Sequence, residues 1–333
     1  MYVAMITNTA WLDEELPSFC VLADALIDEK VSVLQVMPDR VAADEVLPAT
    51  AILPWRDSSW KLLRHFRLRR LFHDLEEAEV DIIHAQDGRL WSGAIRLAEL
   101  MEVPVVLTAS SMLDLQLIEQ VTHATALVKV AIVAKTEPLA QAFRERLPKD
   151  MTVEVVRPGV AHADLVKIAE HRTAGSLCAV ISGEGGYDIE CQALFAALRK
   201  IIERYPQAQF FFDGQRQDQH ALWEAAQQAG LLSNLSTVAR RIGHRELLLR
   251  ADVMIHPQPT GRFRSLTVQA MASRMPVIAR QDPWVDYLIE DQTAWLVDKP
   301  DDARWLELID RVVAEQDKAT ALGQRACEWV SGR

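Results

Sequence analysis

Short apolar runs alternate with amphipathic stretches along the whole chain. Tyr2 to Thr7, Val31 to Met37, Val80 to His84, Pro104 to Thr108, Val128 to Val133 and Val153 to Val156 are rich in aliphatic residues. Runs of this kind fit strands buried on both faces of a parallel sheet. Between the first two, Pro17 to Glu29 places Phe19, Leu22, Leu26 and Ile27 on one face of a helix. The pattern restarts further on. Leu177 to Ile181, Gln207 to Asp213, Val253 to His256 and Pro276 to Ala279 read as strands. Glu190 to Tyr205, Leu222 to Ala229 and Ser265 to Ser273 read as helices, and Asp301 to Arg333 is mostly helical. Such alternation predicts an α/β protein with two doubly wound parallel sheets. The expected domains are 1–160 and 173–315, joined by a linker that includes His162 and His171. The last segment, 316–333, is expected to be a C-terminal helix.

Length supports that division, because 333 residues exceed what one core usually organises. The formal net charge of −11 argues against a nucleic-acid partner. Cys20, Cys178, Cys191 and Cys327 lack metal-type spacing, so no metal site is expected and the thiols read as reduced, as in a cytoplasmic protein. No apolar run approaches the roughly 20 residues of a membrane span. The start, MYVAMITNTAW, has no basic residue before its apolar part and does not read as a signal peptide. One stretch runs against the overall charge. Trp60 to Glu77 sets Lys61, Arg64, Arg67, Arg69 and Arg70 beside Leu63, Phe66, Leu71 and Phe72. It can be a surface helix packed by its apolar side, or one that lies peripherally on an anionic membrane.

Two strand-to-helix turns are candidates for binding chemistry, since ligands of such sheets bind beyond the carboxyl ends of strands. Ser182 to Gly186 contains Gly183, Gly185 and Gly186, whose amides could reach a phosphate or simply make a turn. In Ala251 to Arg280 a strand is followed by a Pro257–Gly261 break, then Arg262, Arg264 and a helix with Ser265 as its expected N-cap. Free amides and two guanidinium groups could make an anion pocket there; a solvated loop pair is the alternative. No P-loop or Ser-His-Asp pattern is present.

The second of these turns also resembles the donor-site signature of glycosyltransferase family 4. The family helix Glu-Ala-Met-Ala-x-Gly-x-Pro-Val-Val is matched by Gln269-Ala270-Met271-Ala272-Ser273-Arg274-Met275-Pro276-Val277-Ile278. Asp81 to Asp87 resembles Asp-Val-Val-His-Ala-His-Asp, with Gln86 at the second histidine. Arg157-Pro158-Gly159-Val160, Asp213-Gly214 and Ile242-Gly243-His244 follow further family motifs. The resemblance implies a GT-B fold, two Rossmann-like domains facing across a cleft, in which the C-terminal helix, 316–333, often crosses back to the first domain. It implies a UDP- or GDP-sugar donor, no metal or other cofactor, and a glycan or lipid-linked acceptor.

The charged residues of that signature are changed. Its second glutamate falls on Gln269 and its first on Gly261. No basic residue lies between Ser176 and Leu198, where the family has an Arg/Lys pair, and no histidine stands near Ser110. Asn8 to Leu16, read as the turn after the first strand, lacks the family's glycines, and Trp284, Trp295 and Arg274 stand where glycines are usual. The resemblance therefore implies a weak or non-catalytic protein, the partner or scaffold of an active transferase. The alternative is a retaining transferase with a rebuilt donor site. In it Arg262 and Arg264 take the diphosphate, Gln269 takes the ribose or sugar, and His84 or Asp87 assists. Arginines paired with acids, or tryptophans filling the donor pocket, would favour the first.

Overall fold

The computed structural model describes residues 1–38, 50–55, 61–160, 176–183, 188–213, 219–238, 247–248 and 250–332. The chain forms two units. The first is Met1–Gly159 with Gly261–Phe263, and the second is Val160–Thr260 with Arg264–Arg333. Gly185, Gly186, Gly214, His162, His171 and Ile242-Gly243-His244 lie outside the described residues.

In unit 1 the strands are β1 (Tyr2–Ile6), β2 (Ser32–Pro38), β3 (Ala51–Trp55), β4 (Ile82–Ala85), β5 (Val105–Ala109), β6 (Val130–Ala134) and β7 (Thr152–Val155). They pair in parallel in the order β3-β2-β1-β4-β5-β6-β7. Side chains alternate between two apolar layers. Ala4, Ile6, Leu34, Val36, Ile83 and Ala85 face one core, and Val3, Met5, Val33 and Met37 face another. The first core is covered by α2 (Lys61–Glu77), α3 (Trp91–Met101), α4 (Ile118–Ala124) and α5 (Glu137–Arg144). The second is covered by α1 (Thr9–Asp28).

α1 corrects the sequence reading. The glycine-free stretch expected to be a turn is the first part of this helix, which begins before Pro17 and runs through it. Asn8 caps it, its side chain accepting from the Trp11 amide at 2.8 Å. Trp11 and Leu12 are buried against Phe19 in the second core, and that burial outweighs the boundary signal of the proline. The edge strand β3 was also not expected from the pattern; Ile52 on it is 41% exposed.

In unit 2 the strands are β8 (Cys178–Ser182), β9 (Gln209–Asp213), β10 (Leu235–Val238), β11 (Val253–His256), β12 (Val277–Arg280) and β13 (Trp295–Val297), in parallel order β10-β9-β8-β11-β12-β13. The helices are α6 (Ile189–Arg204), α7 (Gln219–Gln228), α8 (Ser265–Ala272), α9 (Asp302–Ala314) and α10 (Gln316–Ser331). α6 starts at Asp188, whose carboxylate accepts from the Cys191 amide, and buries Cys191, Leu194, Leu198 and Ile201 at helical spacing. α10 belongs to unit 2 and packs on α8, with the Cys327 thiol 3.4 Å from the Ala272 carbonyl oxygen. Trp295 is a core residue, and the Arg311 guanidinium carbon lies 4.4 Å from its ring centroid. It packs inside unit 2.

Candidate functional site

In each unit the chemistry gathers at the carboxyl edge of the sheet, where the strands hand over to loops. In unit 1 these ends are Thr7, Gln86–Asp87, Ser110–Ser111 and Lys135, all buried except Ser111, which is half-buried. His84 stands one position inside the edge, on the middle strand β4. Its Nε2 is 2.8 Å from the Thr108 hydroxyl, and the Gln86 amide nitrogen is 3.2 Å from its Nδ1. Part of its surface stays accessible, yet burial lowers its pKa to about 4. The imidazole is therefore neutral at neutral pH and a weak base.

Asp87 is 5% exposed and forms a paired contact with Arg89, at 2.9 and 3.1 Å. Burial alone would raise its pKa. The hydrogen bonds and charge of Arg89, with a contribution from Arg262, outweigh that and hold it below its ordinary value. Asp114 lies on a 3-10 helix, Met112–Leu117, and one of its oxygens accepts from the amides of Ser110 and Ser111 at 2.9 and 3.0 Å. Burial pushes its pKa up to about 6, opposed by those two bonds. Gly88 makes room for it: a Cβ there would lie 2.0 Å from Asp114 Oδ1.

The segment Gly261–Phe263 is built into this edge as a short strap. Gly261 carbonyl accepts from the Met112 amide at 3.0 Å, and the Phe263 amide donates to the Ser110 carbonyl at 2.9 Å. Arg262 reaches Glu14 at 3.2 Å, with the two side chains 16% and 5% exposed. Beside it Lys135 pairs with Glu15 at 3.2 Å, and its ammonium lies 5.2 Å from the Phe263 ring centroid and 5.7 Å from that of Trp11. Gly261 has φ +64°, and a Cβ there would lie 2.7 Å from Met112 Cγ. Only glycine takes that place without strain. Glu14, Glu15, Lys135 and Asp114 are site residues that the sequence reading did not single out. The tandem Glu14-Glu15 close after the first strand was the available signal.

In unit 2, Arg264 is 2% exposed and donates from Nη2 to the Gly183 carbonyl at 2.8 Å. Its amide donates to the Tyr287 hydroxyl at 3.1 Å. The guanidinium thus serves the turn whose own sequence carries no basic residue. Two positions apart, Arg262 and Arg264 have different partners and belong to different units. Arg264, not Ser265, occupies the N-cap position of α8; Ser265 is its first helical residue and is fully buried. Gln269, one turn further on, is half-buried, and no side-chain hydrogen bond joins it among the described residues. Gln258 donates to Asp188 at 2.8 Å, and Arg280 pairs with Glu190 at 2.5 Å, fixing the start of α6 to the ends of β11 and β12. Trp284 is half-buried, its amide bonded to Asp282. Among the described residues no cluster of His, Cys, Asp and Glu is arranged to hold a metal, and no helix is long and apolar enough to cross a membrane.

Residues 180–329 match the family model described as glycosyl transferases group 1. A search of curated proteins by sequence returns no match. Solved structures resemble the whole chain. Anabaena HepE in complex with UDP and glucose has a TM-score of 0.79 at 14% identity, covering 99% of this chain and 95% of that one. Thermosynechococcus elongatus sucrose-phosphate synthase has 0.75 at 15%, covering 100% and 94%. Staphylococcus aureus MnaA with UDP has 0.65 at 13%, covering 98% and 94%. Identities this low speak for the fold, and a fold of this kind carries more than one function. Residues 180–329 are therefore similar to the glycosyl transferases group 1 domain, and the chain that bears them has the two-domain α/β fold of GT-B proteins.

Proposed function

We propose that this chain derives from a nucleotide-sugar-dependent glycosyltransferase, no longer turns its donor over, and serves as a non-catalytic partner or scaffold of an active transferase. One observation carries the reading. The position of the family's first signature glutamate is a left-handed glycine pressed against Met112, and the next residue, Arg262, is held in a buried ion pair with Glu14. A charge already neutralised inside the protein is not available to a developing diphosphate. At a reacting centre, removing one such electrostatic interaction costs about 100- to 1,000-fold in rate. Retained affinity for a uridine nucleotide is supported by the UDP bound in HepE and in MnaA.

A second reading keeps activity, as a retaining transferase with a rebuilt donor site. It is favoured by Arg264 donating to the Gly183 carbonyl and by the Gln269 side chain having no hydrogen bond among the described residues. A panel of UDP- and GDP-sugars, scored for hydrolysis and for thermal shift, separates the two. The first reading expects no released nucleotide with any donor. Turnover that is abolished in Arg264→Ala would reject it in favour of the second.

A further inference from the structure

Among the described residues, acids and bases pair off along the carboxyl edge of unit 1, and one carboxyl is left over. Asp87 is paired with Arg89, Glu14 with Arg262 and Glu15 with Lys135. Asp114 stands beside them, and its hydrogen bonds are those from the Ser110 and Ser111 amides. Those bonds go to one oxygen, while the other lies against Gly88. The cover of this carboxyl therefore comes from its own turn and from Gly88. The strap Gly261–Phe263 seats on that same turn. Its two backbone bonds, to the Met112 amide and from the Phe263 amide to the Ser110 carbonyl, flank a bridge between Ser111 and Arg262. What the strap brings to Asp114 is charge, since Arg262 lowers the titration of both Asp114 and Asp87. Two further groups face this carboxyl. Asp87 repels it, and Arg89 is held charged by Asp87, Asp114 and Glu14 together.

We propose that the Gly261–Phe263 strap is a proton-sensitive latch, held most firmly while Asp114 is a carboxylate and loosened when Asp114 takes up a proton. With the strap seated, Arg262 favours the carboxylate. With the strap away, that counter-charge is gone, while the cover from Gly88 and the turn remains. Asp114 then binds its proton more tightly. By linkage, the proton favours the released strap. Asp114 titrates at about 6 with the strap seated, so the latch loosens as pH falls through that value. The same proton acts oppositely on the fold as a whole, because global unfolding frees Asp114 from all of its burial. The chain runs from the strap directly into Arg264 and α8, so this proton sets how firmly the residues before Arg264 are held. The inference holds whether or not the chain turns over a nucleotide sugar.

Amide hydrogen exchange on the full chain tests it. It is read at Met112 and Phe263, whose amides close the strap, and divided by the intrinsic rate at each pH. From about pH 8 to about pH 5 the protection of both should fall about tenfold, the low end of what a neighbouring opposite charge does to a carboxyl's proton affinity. The Val105 amide, bonded to the Lys129 carbonyl within the sheet, should not follow. Asp114→Asn, neutral at every pH, should show the acid level throughout. Arg262→Met should show no step with pH. Glu14→Gln should keep the step, because Asp114 still titrates against Arg262. Circular-dichroism melts would show which variants fold, and the wild-type profile decides even where one does not. Protection in the wild type that is flat, or that rises as pH falls, would overturn the proposal. So would a step that survives in Asp114→Asn, or one that vanishes in Glu14→Gln and so belongs to Glu14.

Discussion

At Asp114 burial and hydrogen bonding pull in opposite directions, and burial wins. Its pKa rises from 3.8 to about 6 despite the Ser110 and Ser111 amides. The folded value lies above the unfolded one. The stability this group adds is therefore complete below about pH 3.8 and is lost as pH rises through about 6. That interval corresponds to roughly 3 kcal/mol. Asp114→Asn keeps an acceptor for the two amides and removes the titration. Urea unfolding across about pH 4 to pH 7 should show the wild type losing stability relative to the variant as pH rises. Parallel pH profiles would contradict this. The Glu14–Arg262 pair makes a different prediction. Removing one partner of a buried pair leaves the other charge behind, at a cost of about 3 kcal/mol or more. Glu14→Gln should show that loss in urea, and adding Arg262→Met should recover most of it. Strictly additive losses would mean that the two side chains do not interact. The sequence displayed Arg262 and Arg264 as two cations beside a helix, and their type was legible. Their partners were not. Glu14 stands far away in the chain, and Gly183 contributes only a carbonyl, which every residue has.

The elements were easier to read than the site, because a strand buried on both faces announces itself by continuous apolar residues. β11 was read with its observed ends, and most other strands were read within a residue or two. The apolar pattern places the start of α1 at Pro17, whereas the cap at Asn8 and the buried Trp11 set the helix. β3 escaped because its short run includes a proline and sits at an edge with little burial. The packing of α8 on α10 was not readable at all. Arg274, which follows α8, has φ +57° at a position where the resembling family has glycine. Its carbonyl oxygen would lie 2.1 Å from a Cβ at Gly323 in α10. Alanine is the better helix former by about 1 kcal/mol. Gly323→Ala should nevertheless lower the melting temperature, because backbone must move to admit the methyl group, at about 1–3 kcal/mol. Arg274→Gly should instead hold or raise it, through relief of about 1–2 kcal/mol of left-handed strain. A melting temperature raised by Gly323→Ala would show that the helices separate easily.

For the whole molecule, two repeats of strand–helix alternation were enough to name two parallel sheets, since each repeat has its own apolar set. What alternation cannot show is that three residues following β11 complete the other unit. Unit 2 without them keeps its sheet and the core built on Leu194, Phe195, Phe210 and Trp305. Unit 1 without them loses Arg262 from Glu14 and the Phe263 ring from Lys135. The isolated segments should therefore differ. Residues 176–333 should unfold cooperatively in urea, while residues 1–160 should unfold at a lower concentration than their larger sheet suggests. The sign of one substitution should also reverse. In the full chain Glu14→Gln takes the paired carboxylate from Arg262 and destabilises. In the 1–160 segment Arg262 is gone, Glu14 is a buried carboxylate deprived of that counter-charge, and the neutral amide removes a desolvation cost of about 1–3 kcal/mol or more. There Glu14→Gln should raise the urea midpoint. If it lowers the midpoint in both settings, Arg262 is not what makes Glu14 tolerable, and the strap contributes packing alone.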